Sequence, residues 1–250
     1  MELVCEATFN SISAIFFDLD NTLIETRKGD DLACDKLVGV MTERFGVPPD
    51  DARRAVVTFL QGFRSCPDDC GESLDGWRRS LWAGALGHKY ASIAAEVYLH
   101  WLDLRYRCLA LRPAVAAMLS TLRHHYLLAL ITNGPSRAQW EKVRRLELGD
   151  FFDVVLVSGD LPWEKPQRDI FLEACRCLGV LPCHCLVVGD KLETDIQGGV
   201  NACLGGTVWV PSGAVPHNAS SLADVTLACV TDLAVLLPRQ PECPSISSSS

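Results

Sequence analysis

The run Ala14-Ile15-Phe16-Phe17-Asp18-Leu19-Asp20-Asn21-Thr22 decides how this chain is read. Four apolar residues without polar alternation fit a strand buried on both faces, as inside a parallel sheet. The run then breaks into two aspartates one residue apart. The twofold period of an extended chain puts both carboxylates on one side and Leu19 on the other. Parallel α/β sheets bind ligands beyond the carboxyl ends of their strands, so this edge is a candidate site.

Working outward, two further apolar runs end the same way. Leu127 to Ile131 leads into Thr132-Asn133-Gly134, and Cys185 to Val188 leads into Gly189-Asp190-Lys191-Leu192-Glu193-Thr194-Asp195. Val154 to Val157 and Thr207 to Val210 have the same character, with helix-length segments between the later runs. Strands alternating with helices predict an α/β fold with a parallel, Rossmann-like sheet. Residues 27–110 are far too long for one crossover and show helical spacing instead. Val56, Phe59, Leu60 and Phe63 mark one amphipathic helix, and Val97, Trp101 and Leu104 mark another. The expected organisation is a discontinuous core of 11–26 and 111–240, an inserted α-helical cap of 27–110 over the carboxyl edge, and a disordered Ser-rich tail at 241–250. Pro113 suits the first turn of the helix that resumes the core. The arginine pairs 53–54, 78–79 and 144–145 read as solvated helix faces, and the acidic stretch 67–72 as a solvated loop.

Composition narrows the function classes. Lys and Arg number 23 against 31 Asp and Glu, a net charge of −8 that argues against nucleic acid or a membrane surface as partner. The 12 cysteines are too sparse for a disulfide scaffold in a chain of 250 residues and read as reduced thiols. The first residues lack a basic n-region and no apolar run reaches membrane-span length, so a cytoplasmic protein is expected. Asn218-Ala219-Ser220 then reads as a chance match to a glycosylation pattern. No obligate protein partner is expected.

The polar clusters carry the chemistry. Asp18, Asp20, Asp190 and Asp195 converge on one rim, with Lys165 and Thr132 beside them. Carboxylates a few ångströms apart repel by about 1 kcal/mol per pair in water and about 4 kcal/mol at an effective dielectric of 20, so the cluster calls for a bound cation. All-oxygen ligation favours Mg²⁺, which keeps positions open for substrate phosphate. A phosphoryl site also needs an in-line nucleophile, a cation on the equatorial oxygens and a proton donor for the leaving oxygen.

Asp18-x-Asp20-x-Thr22, the strand-end Thr132, Lys165, and Gly189-Asp190 with Asp195 resemble, in order and spacing, the four motifs of the haloacid dehalogenase superfamily. A helical insert between the first two motifs resembles the class with an α-helical cap. The resemblance implies that Asp18 is the nucleophile and that Asp20 is the general acid and base. It implies that Thr132, Asn133 and Lys165 bind the phosphoryl group. Mg²⁺ would be held by Asp18, Asp190 and the backbone carbonyl of Asp20, with Asp195 in support. Dehalogenases of the superfamily lack an aspartate at the position of Asp20, because a leaving halide needs no proton. The wording FFDLDNTLI, LLALITNG, EKP and GDKLETDIQGGVNA, with Asp75-Gly76-Trp77 in the insert, resembles members acting on an N-acylneuraminate (sialic acid) 9-phosphate. The expected substrate is therefore a small phosphorylated metabolite of that kind. A phosphatase for another small metabolite, a sugar phosphomutase and an interaction protein on this scaffold are the alternatives. Pro135 stands where a polar residue is usual, and Cys203 where glycine is usual. Cys175, Cys177, Cys183 and Cys185 with His184 suggest a zinc module, but residues 175 and 177 on one helix face apart. Cys66 and Cys70 are spaced so that they can pair under oxidation.

Overall fold

The structure, a computed structural model, describes residues 9–65, 73–213 and 222–237. The acidic stretch 67–72, Cys66 and Cys70, Asn218 and the Ser-rich tail lie outside them. Six parallel strands form one sheet: β1 (Ala14–Phe17), β2 (Leu127–Thr132), β3 (Val154–Val157), β4 (Cys185–Gly189), β5 (Gly206–Trp209) and β6 (Val225–Thr226), in the order β3-β2-β1-β4-β5-β6. The first five are the apolar runs of the sequence. The sixth has two residues and escapes periodicity. Its place is secured by the Asp224 carboxylate, which accepts from the backbone N–H and hydroxyl of Thr207, each at 2.8 Å.

Register positions the site. Phe17 sits opposite Leu130 on one side and Val188 on the other, so β1, β2 and β4 end at one level. The Asp18 N–H continues that ladder to the Val188 carbonyl at 2.9 Å. Asp18, Thr132 and Asp190 thus leave neighbouring strands at the point where chain order diverges, the usual ligand crevice of such sheets.

Both faces of the sheet are dry. Phe17, Leu128, Leu130, Leu186 and Val188 pack with Met118 and Leu119 on one side; Phe16, Ala129, Ile131 and Val187 pack with Ile170, Phe171 and Ala174 on the other. This explains why the strands read as unbroken apolar runs.

Between β1 and β2 run four long helices: α1 (Thr26–Phe45), α2 (Pro49–Phe63), α3 (Leu74–Tyr90) and α4 (Ala94–Cys108). Their punctuation is legible. Gly46 ends α1 in the left-handed conformation at φ 65°, Pro49 opens α2, and the Ser73 hydroxyl caps α3 by accepting from the Gly76 N–H at 2.9 Å. These helices have a core of their own, in which Phe59 stacks on Trp82 at 3.9 Å and meets Trp101 edge-on at 4.9 Å. The remaining helices are α5 (Pro113–Leu122), opened by Pro113 as expected, α6 (Ser136–Arg145), α7 (Arg168–Leu178), α8 (Gln197–Asn201) and α9 (Leu233–Leu236).

One arginine departs from the solvated face predicted for it. Arg78 is 1% exposed, because α3 turns it towards α6, where Nη1 donates to Glu141 Oε2 at 2.5 Å. Its guanidinium lies over Phe63 and Trp101 at 5.7 and 5.6 Å, which replaces lost hydration with aromatic faces. The residue after Lys165 is Pro166. It sits in a turn behind a cis peptide bond with Lys165, and α7 begins only at Arg168.

Candidate active site

Asp18 stands at the centre of the strand ends and is buried. Its Oδ1 accepts from Lys165 Nζ at 2.6 Å, and its Oδ2 accepts from the Thr22 hydroxyl at 3.0 Å. Lys165 also donates to the Ile131 carbonyl at 2.8 Å and lies 2.7 Å from Asp195 Oδ1, so one ammonium ties the ends of β1 and β2 to the segment after β4. Burial pushes the Asp18 carboxyl up to about 7; the Lys165 charge pulls it down, and Asp195 pushes it up again. Lys165 is itself raised, since the carboxylates of Asp18 and Asp195 overcome the burial that would lower it.

Asp20 is in a different environment. Its carboxylate takes Lys142 Nζ on both oxygens at 2.7 Å, Gln139 Nε2 at 3.0 Å and the Thr26 hydroxyl at 2.5 Å. Burial raises this group, but Lys142 and the two further donors outweigh it and hold Asp20 well below the usual carboxylate range. Gln139 and Lys142 are the residues that sequence reading missed. They lie three apart on α6, one turn beyond Thr132-Asn133-Gly134, and so share a face. That spacing after the strand end was the only available signal.

The side chain of Asn133 is used differently from its expected contact with a phosphoryl group. Its Nδ2 donates to the Lys165 carbonyl at 2.9 Å and its Oδ1 accepts from the Lys165 N–H at 3.0 Å, a clamp on the backbone that presents the lysine. Thr132 is 1% exposed, and among the described residues its hydroxyl has no partner.

Asp18, Asp190 and Asp195 each offer a carboxylate oxygen within 4.8 Å of the others. Asp190 Oδ2 accepts from the Ser212 hydroxyl at 3.1 Å, whereas its Oδ1 is buried without a partner among the described residues. Burial first, and then Asp195, raise the Asp190 carboxyl. Asp195 Oδ2 accepts from the Lys191 N–H at 3.0 Å. A buried oxygen donor left unmatched, within a convergent all-oxygen set, fits a hard divalent cation such as Mg²⁺. The Asp20 carboxylate is turned away from this trio, towards α6. The cysteine cluster does not gather: Cys175 and Cys185 are buried with their sulfurs 3.7 Å apart, while Cys177 and Cys183 are exposed.

Residues 12–202 match the haloacid dehalogenase-like hydrolase family. The chain belongs to that family. It is 34% identical over 232 residues to the N-acylneuraminate-9-phosphatase of Rattus norvegicus, covering 90% of this chain and 94% of the relative. It is 32% identical over 203 residues to the glyceraldehyde 3-phosphate phosphatase of Pyrococcus furiosus, covering 81% and 82% of the two chains. Among solved structures, a 2-haloacid dehalogenase from Pseudomonas syringae pv. Tomato superposes with a TM-score of 0.60 at 27% identity, over 90% of this chain and 97% of the other. Relatives of this family with different reactions therefore share the scaffold, and the residues at the strand ends must distinguish between them.

Proposed function

We propose that this chain is an Mg²⁺-dependent phosphomonoesterase working through an aspartyl-phosphate on Asp18, and that its substrate is N-acylneuraminate 9-phosphate. The observation that carries the reaction class is the buried constellation at the strand ends. A carboxylate oriented by Lys165 and Thr22 stands beside an unpartnered Thr132 hydroxyl and an unpartnered Asp190 oxygen. The substrate rests on 34% identity spanning nine-tenths of the chain. A division into a core of 11–26 and 111–240 and a helical cap of 27–110 accords with the separate hydrophobic clusters of the two parts. The free thiols among the described cysteines favour a cytoplasmic setting.

Asp18 attacks phosphorus and expels the sugar alkoxide, a recognised use of a carboxylate nucleophile. Lys165 and the Thr132 hydroxyl meet the charge that spreads over the equatorial oxygens. Asn133 acts through Lys165 by fixing its backbone. Asp18, Asp190 and Asp195 would hold Mg²⁺, which supplies electrostatic stabilisation of the transferring group. Asp20 gives the leaving oxygen its proton and later takes one from water. To give a proton, the carboxyl must move off Lys142, because that ion pair holds it ionised.

Release of inorganic phosphate by the purified chain, with Mg²⁺ or with chelator, over a panel of sugar, nucleotide and short-chain phosphates tests this reading. Mg²⁺-dependent turnover with the highest kcat/KM on N-acetylneuraminate 9-phosphate is expected. Turnover that ignores chelator, or isomerisation of a hexose phosphate without free phosphate, would exclude it.

A further inference from the structure

A cavity of about 410 Å³ opens between α1–α4 and the strand ends, with Asp20 in its wall. That volume suits a small ligand larger than a phosphate ion. Its lining is strongly cationic, although the whole chain carries −8. Arg27, Arg64, Arg78 and Arg105 line it from the helical side, and Lys142 and Lys191 from the core.

Most of these charges are already matched. Arg105 donates to Asp30 at 2.6 Å, Arg78 to Glu141 at 2.5 Å and Lys142 to Asp20 at 2.7 Å. Arg64 pairs with Asp31 at 3.0 Å, but both side chains are more than half exposed, so solvent screens the pair and it is readily exchanged. Arg27 and Lys191 are exposed, and among the described residues neither pairs with a carboxylate. Lys165 lies at the bottom of the site, bound to Asp18, and Arg27 is on α1, one residue beyond the Thr26 that contacts Asp20. The surplus charge of Arg27 and Arg64 therefore comes from the helical side of the cavity, opposite the core strands, and Lys191 joins it from the segment after β4.

Resting on the phosphomonoesterase reading above, we infer that Arg27, with Arg64 and Lys191, forms a subsite for a second anionic group of the substrate, a carboxylate. An arginine suits this role, because its planar fork can hold both oxygens of a carboxylate. The subsite makes Arg27 a specificity residue: it acts on the part of the substrate that does not react, and the chemistry at Asp18 is left to the core.

The test uses the full chain with Mg²⁺ and three probes: N-acetylneuraminate 9-phosphate, its carboxylate methyl ester, and p-nitrophenyl phosphate. The ester removes one charge and little else, and the aryl phosphate has no second anion. The wild type is expected to favour the acid over the ester by at least tenfold in kcat/KM. Arg27→Gln is expected to lose tenfold or more on the acid, to bring acid and ester level, and to stay within about twofold of wild type on the aryl phosphate; Arg27→Lys recovers part of the preference. A wild type that treats acid and ester alike overturns the inference while turnover of the aryl phosphate keeps the phosphatase reading. Equal losses on all three probes also overturn it, because Arg27 then serves only general attraction of phosphate. No phosphate release from any probe removes the phosphatase reading itself, and the subsite with it.

Discussion

Asp18 and Asp20 are two residues apart, and their surroundings drive them in opposite directions. Burial raises Asp18, while Lys142, Gln139 and Thr26 keep Asp20 ionised. Without a bound cation these shifts run against the proposed roles, because a nucleophile needs the ionised carboxylate and an acid the protonated one; a divalent cation beside Asp18 and release of Asp20 from Lys142 are what would reverse them. If Asp20 serves the leaving oxygen, its removal must hurt poor leaving groups most. Asp20→Asn should lower kcat on an alkyl phosphate by about 10²-fold or more, in the range of a general acid's contribution, and should cost far less on p-nitrophenyl phosphate, whose phenolate departs unprotonated. Equal losses on both, measured by phosphate release, would remove Asp20 from proton transfer. Two residues unusual for the motif pattern also have local explanations. Cys203 has φ 54°, a left-handed conformation that a side chain disfavours, so glycine is the natural occupant. Pro135 precedes α6 as its N-cap at φ −59°, where its carbonyl accepts from the Ala138 and Gln139 N–H groups, so the missing donor is no loss.

At the scale of elements, the end of β4 and the turn after it shape the acidic trio. The chain leaves Gly189, and residues Leu192–Ile196 form a wide π-type turn that carries Asp195 back beneath the strand end. A β-carbon on Gly189 would lie 2.3 Å from both Cβ and Cγ of Asp195, so glycine is required by close approach. Gly189→Ala should push Asp195 off Lys165 and weaken Mg²⁺ binding by tenfold or more, the loss expected when a carboxylate at a metal site is displaced. Isothermal titration with Mg²⁺ would read this, and unchanged affinity would show that Asp195 does not support the ion. Helix α6 links the site to the helical insert: Gln139 and Lys142 reach Asp20 on one face, and Glu141 reaches Arg78 of α3.

For the molecule as a whole, three buried carboxylates around one lysine make stability depend on pH and on metal. Asp18 titrates near 7 when folded against an ordinary value of 3.8, so between these values the folded state holds more protons than the unfolded state. Stability from this group is therefore full below about pH 4 and declines as pH rises towards 7. A divalent cation reverses the preference, because it favours the ionised carboxylate. The rise in Tm produced by Mg²⁺ over chelator should therefore grow from pH 6 to pH 8, as thermal unfolding would show. A constant rise, or none, would mean that the cation does not engage Asp18. Among the described residues, no helix is long and apolar enough to cross a membrane.

The sequence by itself determined the parallel sheet and the placement of Asp18, Thr132 and Asp190 at its strand ends. Strands buried on both faces must be continuously apolar, and the polar residue that ends each run falls at the strand's carboxyl end. Parallel pairing then brings those ends to one level. Only the tertiary structure decided what Lys142, Asn133 and Arg78 contact. Lys142 meets Asp20 across 122 residues of chain and Arg78 meets Glu141 across 63. The first contact depends on how α6 packs against the end of β1 and the second on how the helical insert settles against the core, and no local period records either. An arginine on an amphipathic helix has the same sequence signature whether its face meets water, a carboxylate on another helix, or the charge of a substrate.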